Sequence, residues 1–449
     1  MNYDLTKGRI TGSLLKFSFP LILGNLLQQC YNLADTLIVG KFVGADALAA
    51  VGSAYSLMTF VTSIIIGLCI GAGAYFSHMF GCKNEENLKT GIFISFAFIG
   101  VLSVILNLLL YIFCDPIMRI LQVPDDIFYL MKDYLMWVFA GMTAVFVYNF
   151  FSNLLRGIGN SFVPLIFLCV SAVLNIGLDI VFVLVFENGI AGVAIATVIS
   201  QVVSGIGLAL FTLIKFPELR IRRRHLHFDF EIFKNIASLS FVTCLQQSVM
   251  NFGILLVQGI VNGFGKIVMA AFAAGVKIDT LAYMPVQDFG NAFSTFVAQN
   301  YGAGKEKRIR RGIKSSVICV TVFCIVISAL VCVFARPLMS VFVQDGLEDV
   351  IAVGAQYLTV EGTFYIGIGI LFMLYGYYRA VNKPFMSLIL TLISLGVRVV
   401  LAYFLSKLPS VGVFGIWVSV PIGWALADIT GIIYYFMLKR KSKLRKTTS

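Results

Sequence analysis

Charge is what this sequence has least of. Asp, Glu, Lys and Arg make up 12% of its 449 residues, about half the share of a soluble domain, which excludes an ordinary water-solvated globule. Several motifs are also absent. There is no GxxxxGK[ST] phosphate cradle, so coupling to nucleotide hydrolysis on this chain is not expected. There is no HExxH and no GxSxG either, which removes two common hydrolytic sites and leaves no reason to expect an enzyme. The nine cysteines form no CxxC pair and have no histidine at ligand spacing, so they are expected as small buried hydrophobes without a resident metal or cofactor.

What fills the chain instead is apolar: 59% hydrophobic residues and a mean hydropathy of +0.92. A helix needs about 20 mostly apolar residues to cross the hydrocarbon of a bilayer. Twelve such stretches start near Leu14, Ala47, Gly91, Tyr134, Val163, Gly189, Ile232, Lys266, Lys314, Gln356, Phe385 and Val411. The first lacks a short apolar core followed by a small-residue cleavage site, so it reads as a retained helix.

The net charge of +12 points to topology and not to nucleic acid. Of the 34 Lys and Arg, only Lys41, Arg119, Lys132, Lys266, Arg336 and Lys407 fall between spans on one side, and Lys277 and Arg398 fall within spans. All the rest lie on the other side, which the positive-inside rule makes the cytosol. The expectation is a multi-pass protein of the cell membrane with both termini cytoplasmic.

The two halves repeat the same landmarks in order. Gln28-Gln29 recurs as Gln246-Gln247, Phe80-Gly81 as Tyr301-Gly302, Arg156 as Arg379, and Gly189 and Gly192 as Gly412 and Gly415. An ordered series of this kind marks a duplication. Each half has an even number of helices, which predicts two parallel repeats, as in some secondary transporters. The expected organisation is an amino-terminal six-helix lobe at 1–214, a linker at 215–231, a carboxy-terminal six-helix lobe at 232–438 and a basic tail at 439–449. His225 and His227 fall in the basic, Pro-containing linker and read as solvated residues rather than a metal pair.

Ionisable groups inside a membrane span are costly and therefore mark function. In the first span Gln28, Tyr31, Asn32 and Asp35 recur at helical spacing and share one face. In the fifth, Asn175 and Asp179 are one turn apart, as are Thr197 and Gln201 in the sixth. At 1.5 Å per residue their depths overlap, so one chamber can collect all of them. Two carboxylates in a low-dielectric pocket cannot both ionise without cost, which suits the pair to taking up a proton. The same oxygens with Asn175 and Thr197 suit Na⁺. A role in pinning helices together stands beside these two. Pro20 removes one backbone hydrogen bond and favours a kink in the first helix. Asn149 and Asn153, one turn apart on the fourth helix, are placed either on the chamber floor or in helix packing.

Other charges lie in the second half: Lys277, Asp279, Glu361, Arg398 and Asp428. Their mixed signs suggest internal ion pairs, with Glu361 near the outer end of its span. Asp288 and His78 fall near helix ends, where solvation is expected.

The segments FSFPLILGNLLQQCYNLADTLIVGKFVGADALAAVG in the first two helices, NLLRGIGN at 153–160 and LNIGLD at 174–179 resemble the multidrug and toxic compound extrusion (MATE) family. The resemblance implies an all-α membrane protein with twelve transmembrane helices in two six-helix lobes forming a V, working by alternating access with H⁺ or Na⁺ as the coupling ion. It places the cation pocket on Asp35, Asn175, Asp179 and Thr197, with Tyr31 and Asn153 beside them. The seventh span, unlike that of many members, has no carboxylate. The expected function is export of organic, cationic amphipathic small molecules across the membrane by a monomer. The rival is a lipid-linked saccharide flippase of the same superfamily, which would need several cavity cations for the pyrophosphate.

Overall fold

Backbone groups in a bilayer have no water to bind, so a chain this apolar satisfies them within helices. The computed structural model describes residues 4–343 and 347–447; the last two residues of the expected tail lie outside the described residues. The described chain is helical and has no strand. The helices are α1 (Ile10–Ile38), α2 (Ala45–Cys82), α3 (Glu85–Ile112), α4 (Cys114–Ile120), α5 (Asp125–Ala140), α6 (Met142–Gly157), α7 (Phe162–Ile180) and α8 (Gly189–Lys215). They continue as α9 (Phe230–Asn262), α10 (Lys266–Gly302), α11 (Glu306–Val333), α12 (Ala335–Phe342), α13 (Glu348–Thr363), α14 (Tyr365–Ala380), α15 (Pro384–Leu405) and α16 (Val413–Thr447).

Among the described residues ten helices are long and apolar enough to cross a membrane, and two bent pairs, α5 with α6 (44°) and α13 with α14 (53°), each counted as one span, bring the number to twelve. The protein is a multi-pass membrane protein. The bent spans begin earlier than the apolar runs suggest. Asp125 and Asp126 open α5, and Glu348 and Asp349 open α13. Acidic side chains favour the positive end of the helix dipole, so each helix starts before its hydrophobic part. Glu361 consequently sits at the break before Phe364, mid-span and not near an end. α1 runs on through Pro20 and finishes in a π-helical turn at Val39–Val43.

The repeat is visible element by element. α5 and α13 have 16 residues each, as do α6 and α14. The turn between α2 and α3 uses Lys83 at φ 57°, whereas its counterpart before α11 uses Gly304 at φ 67°. The left-handed conformation is what both copies need, and only one uses the residue that adopts it freely.

Contacts divide the chain into two compact units: Met1–Gly8, Leu15–Cys244 and Ala298–Lys305 form one, and Arg9–Leu14, Leu245–Val297 and Glu306–Ser449 the other. In the first, α2 packs on α5 and α6, and α8 on α5, α6 and α7. Ser161 Oγ donates to Phe17 O at 2.8 Å, tying the start of α7 to α1. In the second, α15 and α16 pack together and α14 lies on both. Its centre is Trp417, fully buried, stacked on Phe272 at 5.6 Å and edge-on to Tyr357.

Three expectations change. His225 is not solvated but fully buried. Its Nδ1 accepts from the Arg222 backbone N–H at 3.0 Å, and its Nε2 lies 2.9 Å from Glu86 Oε2 and 3.2 Å from Arg224 Nε. Arg224 bonds the other oxygen of Glu86 at 2.5 Å. Glu86 lies in the first turn of α3, so the linker is fastened there. Glu86→Ala is expected to speed tryptic cleavage at Arg222–Arg224 several-fold, read by limited proteolysis of the purified protein. Asp288 is likewise buried, at 4% exposure. The cysteines divide: Cys69, Cys114 and Cys324 are buried, whereas Cys30 and Cys82 are exposed, and among the described residues no disulfide joins any of the nine.

Candidate functional site

The first unit gathers the predicted polar residues from three helices. α1 supplies Gln28, Tyr31, Asn32 and Asp35, α7 supplies Asn175 and Asp179, and α8 supplies Thr197. Helical spacing puts each set on one face, and Asp35 and Asp179 meet within hydrogen-bonding range of each other. Asp179 is fully buried and Asn175 is 2% exposed.

The hydrogen-bond accounting shows what the site lacks. Thr197 Oγ1 donates to Val193 O at 3.0 Å and accepts from Asn175 Nδ2 at 3.4 Å. Asp179 Oδ1 and Oδ2, Asp35 Oδ1 and Asn175 Oδ1 remain buried with no hydrogen-bond partner. A buried carboxylate without a donor or counter-charge costs several kcal/mol, so four convergent oxygens favour capture of a positive charge. Among the described residues no three His, Cys, Asp or Glu side chains converge. The donor set is therefore all oxygen, which suits a proton or a hard cation and not a soft metal.

Other predicted residues take different places. Gln28 bonds the Tyr31 hydroxyl. Asn149 Nδ2 donates to Val145 O at 2.9 Å, and Asn153 Nδ2 to Asn149 O at 2.8 Å, each one turn back on α6. A Cβ at Gly73 would stand 3.2 Å from that of Asn153, so Asn153 packs α6 against α2. Gln201 Oε1 fills the space beside Gly141, where a Cβ would approach it at 2.7 Å. It sits at the bend between α5 and α6.

Sequence reasoning missed Tyr134. Treated as the start of the fourth span, it lies well inside α5, close enough to interact with Asp35, Asp179 and Tyr31. The available signal was the repeat: Tyr134 recurs as Tyr357 at the offset that relates Arg156 to Arg379. Tyr134→Phe removes one hydroxyl from the rim of the carboxylate pair. It is expected to raise the ion concentration for half-maximal efflux about three- to tenfold, since the hydroxyl acts on the pair electrostatically and not through a direct hydrogen bond and a factor of ten is about 1.4 kcal/mol. Titration of efflux against the driving ion measures it.

In the second unit the expected ion pairs are not formed. Among the described residues no salt bridge joins Asp279, Glu361 or Asp428 to Lys277 or Arg398. Lys277 is exposed, whereas Asp279, Glu361 and Asp428 are buried.

Comparison with known proteins follows the same outline. The MatE family model matches residues 20–181 and 240–404. The chain is 31% identical over 435 residues to a probable multidrug resistance protein, YpnP, of Bacillus subtilis, covering 96% of each chain. It is 26% identical to an FAD transporter of Shewanella oneidensis, covering 100% of this chain and 98% of the relative. The solved structure of a MOP superfamily transporter from Pyrococcus furiosus superposes with a TM-score of 0.92 at 22% identity, over 98% of both chains.

Proposed function

Because the chain belongs to the MATE family of transporters, we propose that it exports organic, cationic amphipathic compounds from the cytosol in exchange for an inward-moving H⁺ or Na⁺. The observation that carries this reading is the set of donor-less oxygens on Asp35, Asn175 and Asp179. Relatives named as multidrug resistance and multidrug export proteins support the cargo.

An incoming cation neutralises the carboxylate pair, and removal of that charge changes which arrangement of helices is favoured. Asp35 lies on α1, so the response begins there. The π-helical turn at Val39–Val43 and Pro20 are the two irregularities in that helix, and irregular turns are where helices bend. Exchange then requires only that cation and cargo prefer different states. The distribution of basic residues supports a cytosolic position for both termini. The protein acts as a monomer in the cell membrane.

The test uses proteoliposomes loaded with a cationic dye, with a pH gradient at clamped Na⁺ and a Na⁺ gradient at clamped pH imposed separately. One of the two is expected to accelerate dye movement at least tenfold over the ungradiented control. No acceleration by either would exclude coupled export.

A further inference from the structure

The start of α11 carries a row of cations that ion coupling in the first unit leaves unused. Lys307, Arg310, Arg311 and Lys314 are all exposed. Their spacing of three, four and seven residues puts them on one face of the helix. Continued along that face, the stripe turns apolar and stays exposed, with Ile318 at 53%, Val322 at 58% and Ile325 at 55%. α11 is one of the membrane spans, so this apolar run meets lipid tails. From Lys307 to Lys314 the helix rises about 10 Å, against about 5–8 Å for one headgroup layer of a bilayer. The cations therefore cover the headgroup layer next to those tails.

Local structure gives no reason for four cations here. The start of a helix is the positive end of its dipole and disfavours them. Residues 306–316 hold one carboxylate, Glu306, which lies 3.9 Å from Arg310 with both side chains half exposed. A surface pair of this kind contributes little. Among the described residues Lys307, Arg311 and Lys314 form no salt bridge. Arg308, off the row, stands over the Phe296 ring at 5.7 Å. The positive-inside preference would be met as well by cations scattered in loops; it does not ask for a row in register with the lipid-facing residues.

The repeat shows that the scaffold does without them. At the offset relating Gly81 to Gly302, Lys307 stands where α3 has Glu86, Arg311 where it has Thr90, and Lys314 where it has Phe93. Only Arg310 has a cation as its counterpart, Lys89, and that one is buried and paired with Glu85 at 3.2 Å. Of the two copies, the second alone carries an outward-facing cation row.

We propose that this row is a binding surface for an anionic phospholipid of the leaflet on the basic side of the membrane. The planar guanidinium of Arg311 takes the phosphate, Lys307 and Lys314 flank it, and the acyl chains run along Ile318, Val322 and Ile325. Lys314, the last cation before the apolar run, keeps its stem against the tails and its ammonium at headgroup level. The proposal rests on membrane insertion and not on the transport reading above.

The test counts lipid bound to the full-length protein in detergent by native mass spectrometry. Dioleoyl phosphatidylglycerol and dioleoyl phosphatidylcholine are titrated separately, so the tails match and the headgroup charge differs. Each cation at an anionic surface contributes about a fivefold factor, and wild type is expected to bind the first phosphatidylglycerol at least tenfold more tightly. Arg311→Gln/Lys314→Gln should bring the two lipids to within about twofold, whereas Arg311→Lys should retain most of the preference. Lys439→Gln/Arg440→Gln, which removes the same charge from the basic end of α16, should leave it unchanged. Equal affinities in wild type overturn the proposal even if a variant misfolds. So does an unchanged preference in the Arg311→Gln/Lys314→Gln protein, or an equal loss in the Lys439→Gln/Arg440→Gln protein. Inorganic phosphate at the lipid's concentration should not displace it; displacement would assign the surface to a soluble anion and overturn the lipid reading.

Discussion

Asp179→Asn is expected to reduce gradient-driven efflux at least tenfold, with Asp35→Asn showing a loss of similar kind and smaller size. The ranking follows from burial. Asp179 is fully buried and neither of its oxygens has a donor, whereas Asp35 is partly exposed and only its Oδ1 is both buried and unpartnered. Asparagine keeps the shape of Asp179 but places two N–H donors opposite Asp35, so the site satisfies itself and no longer needs the ion. A coupling ion shifts a two-state equilibrium only by its differential affinity for the states, and about 1.4 kcal/mol of that difference is a factor of ten. Removing one of two carboxylates removes more than this. Asp179→Glu keeps the charge on a longer stem and is expected to retain partial activity. Dye efflux from everted vesicles under imposed gradients, normalised to transporter content, gives the comparison. Undiminished efflux in Asp179→Asn would remove the carboxylate pair from the mechanism.

The second large effect is on folding. At Gly71 of α2 a Cβ would lie 2.5 Å from Leu239 O and from Ser240 N, and at Gly67 it would lie 2.6 Å from Cys244 Cα. These neighbours are backbone atoms of α9 and cannot rotate away. Small residues let helices in a bilayer approach closely, where packing replaces the hydrophobic effect as the source of association. Alanine at Gly71 gains about 1 kcal/mol of helix propensity but forces α2 and α9 apart, and overpacking costs about 1–3 kcal/mol. The clash wins. Gly71→Ala should lower the melting temperature of the detergent-purified protein by several degrees, and Gly71→Leu should yield no monodisperse protein. Gly52, on the same helix, has nothing within 4 Å of its Cβ position, so Gly52→Ala should be neutral or stabilising. Thermal melts read by size-exclusion fluorescence separate the two signs.

Much of the first-unit site was legible because polar residues in an apolar helix cannot hide. Asp35, Asn175, Asp179 and Thr197 stood out by chemistry, and helical spacing assigned them to faces. Tyr134 escaped because a tyrosine near an apparent span end resembles an interfacial anchor. Glu361 was misjudged for a related reason: the acidic first turn of α13 disguised where the helix begins. His225 looked solvated because its neighbours are basic, and only the fold brings Glu86 to it.

The sequence by itself determined that the chain is a duplicated bundle of membrane helices, since composition, period and repeat order are properties of the linear chain. It also determined that the carboxylate of Asp35 has no counterpart in the second copy, where Gly253 stands. Whether Asp279, Glu361 and Arg398 neutralise one another depends on distances of a few ångströms between three helices, and no linear pattern encodes them. Only the tertiary structure decided that they stay unpaired, because Coulomb energy depends on that separation and on the dielectric around it.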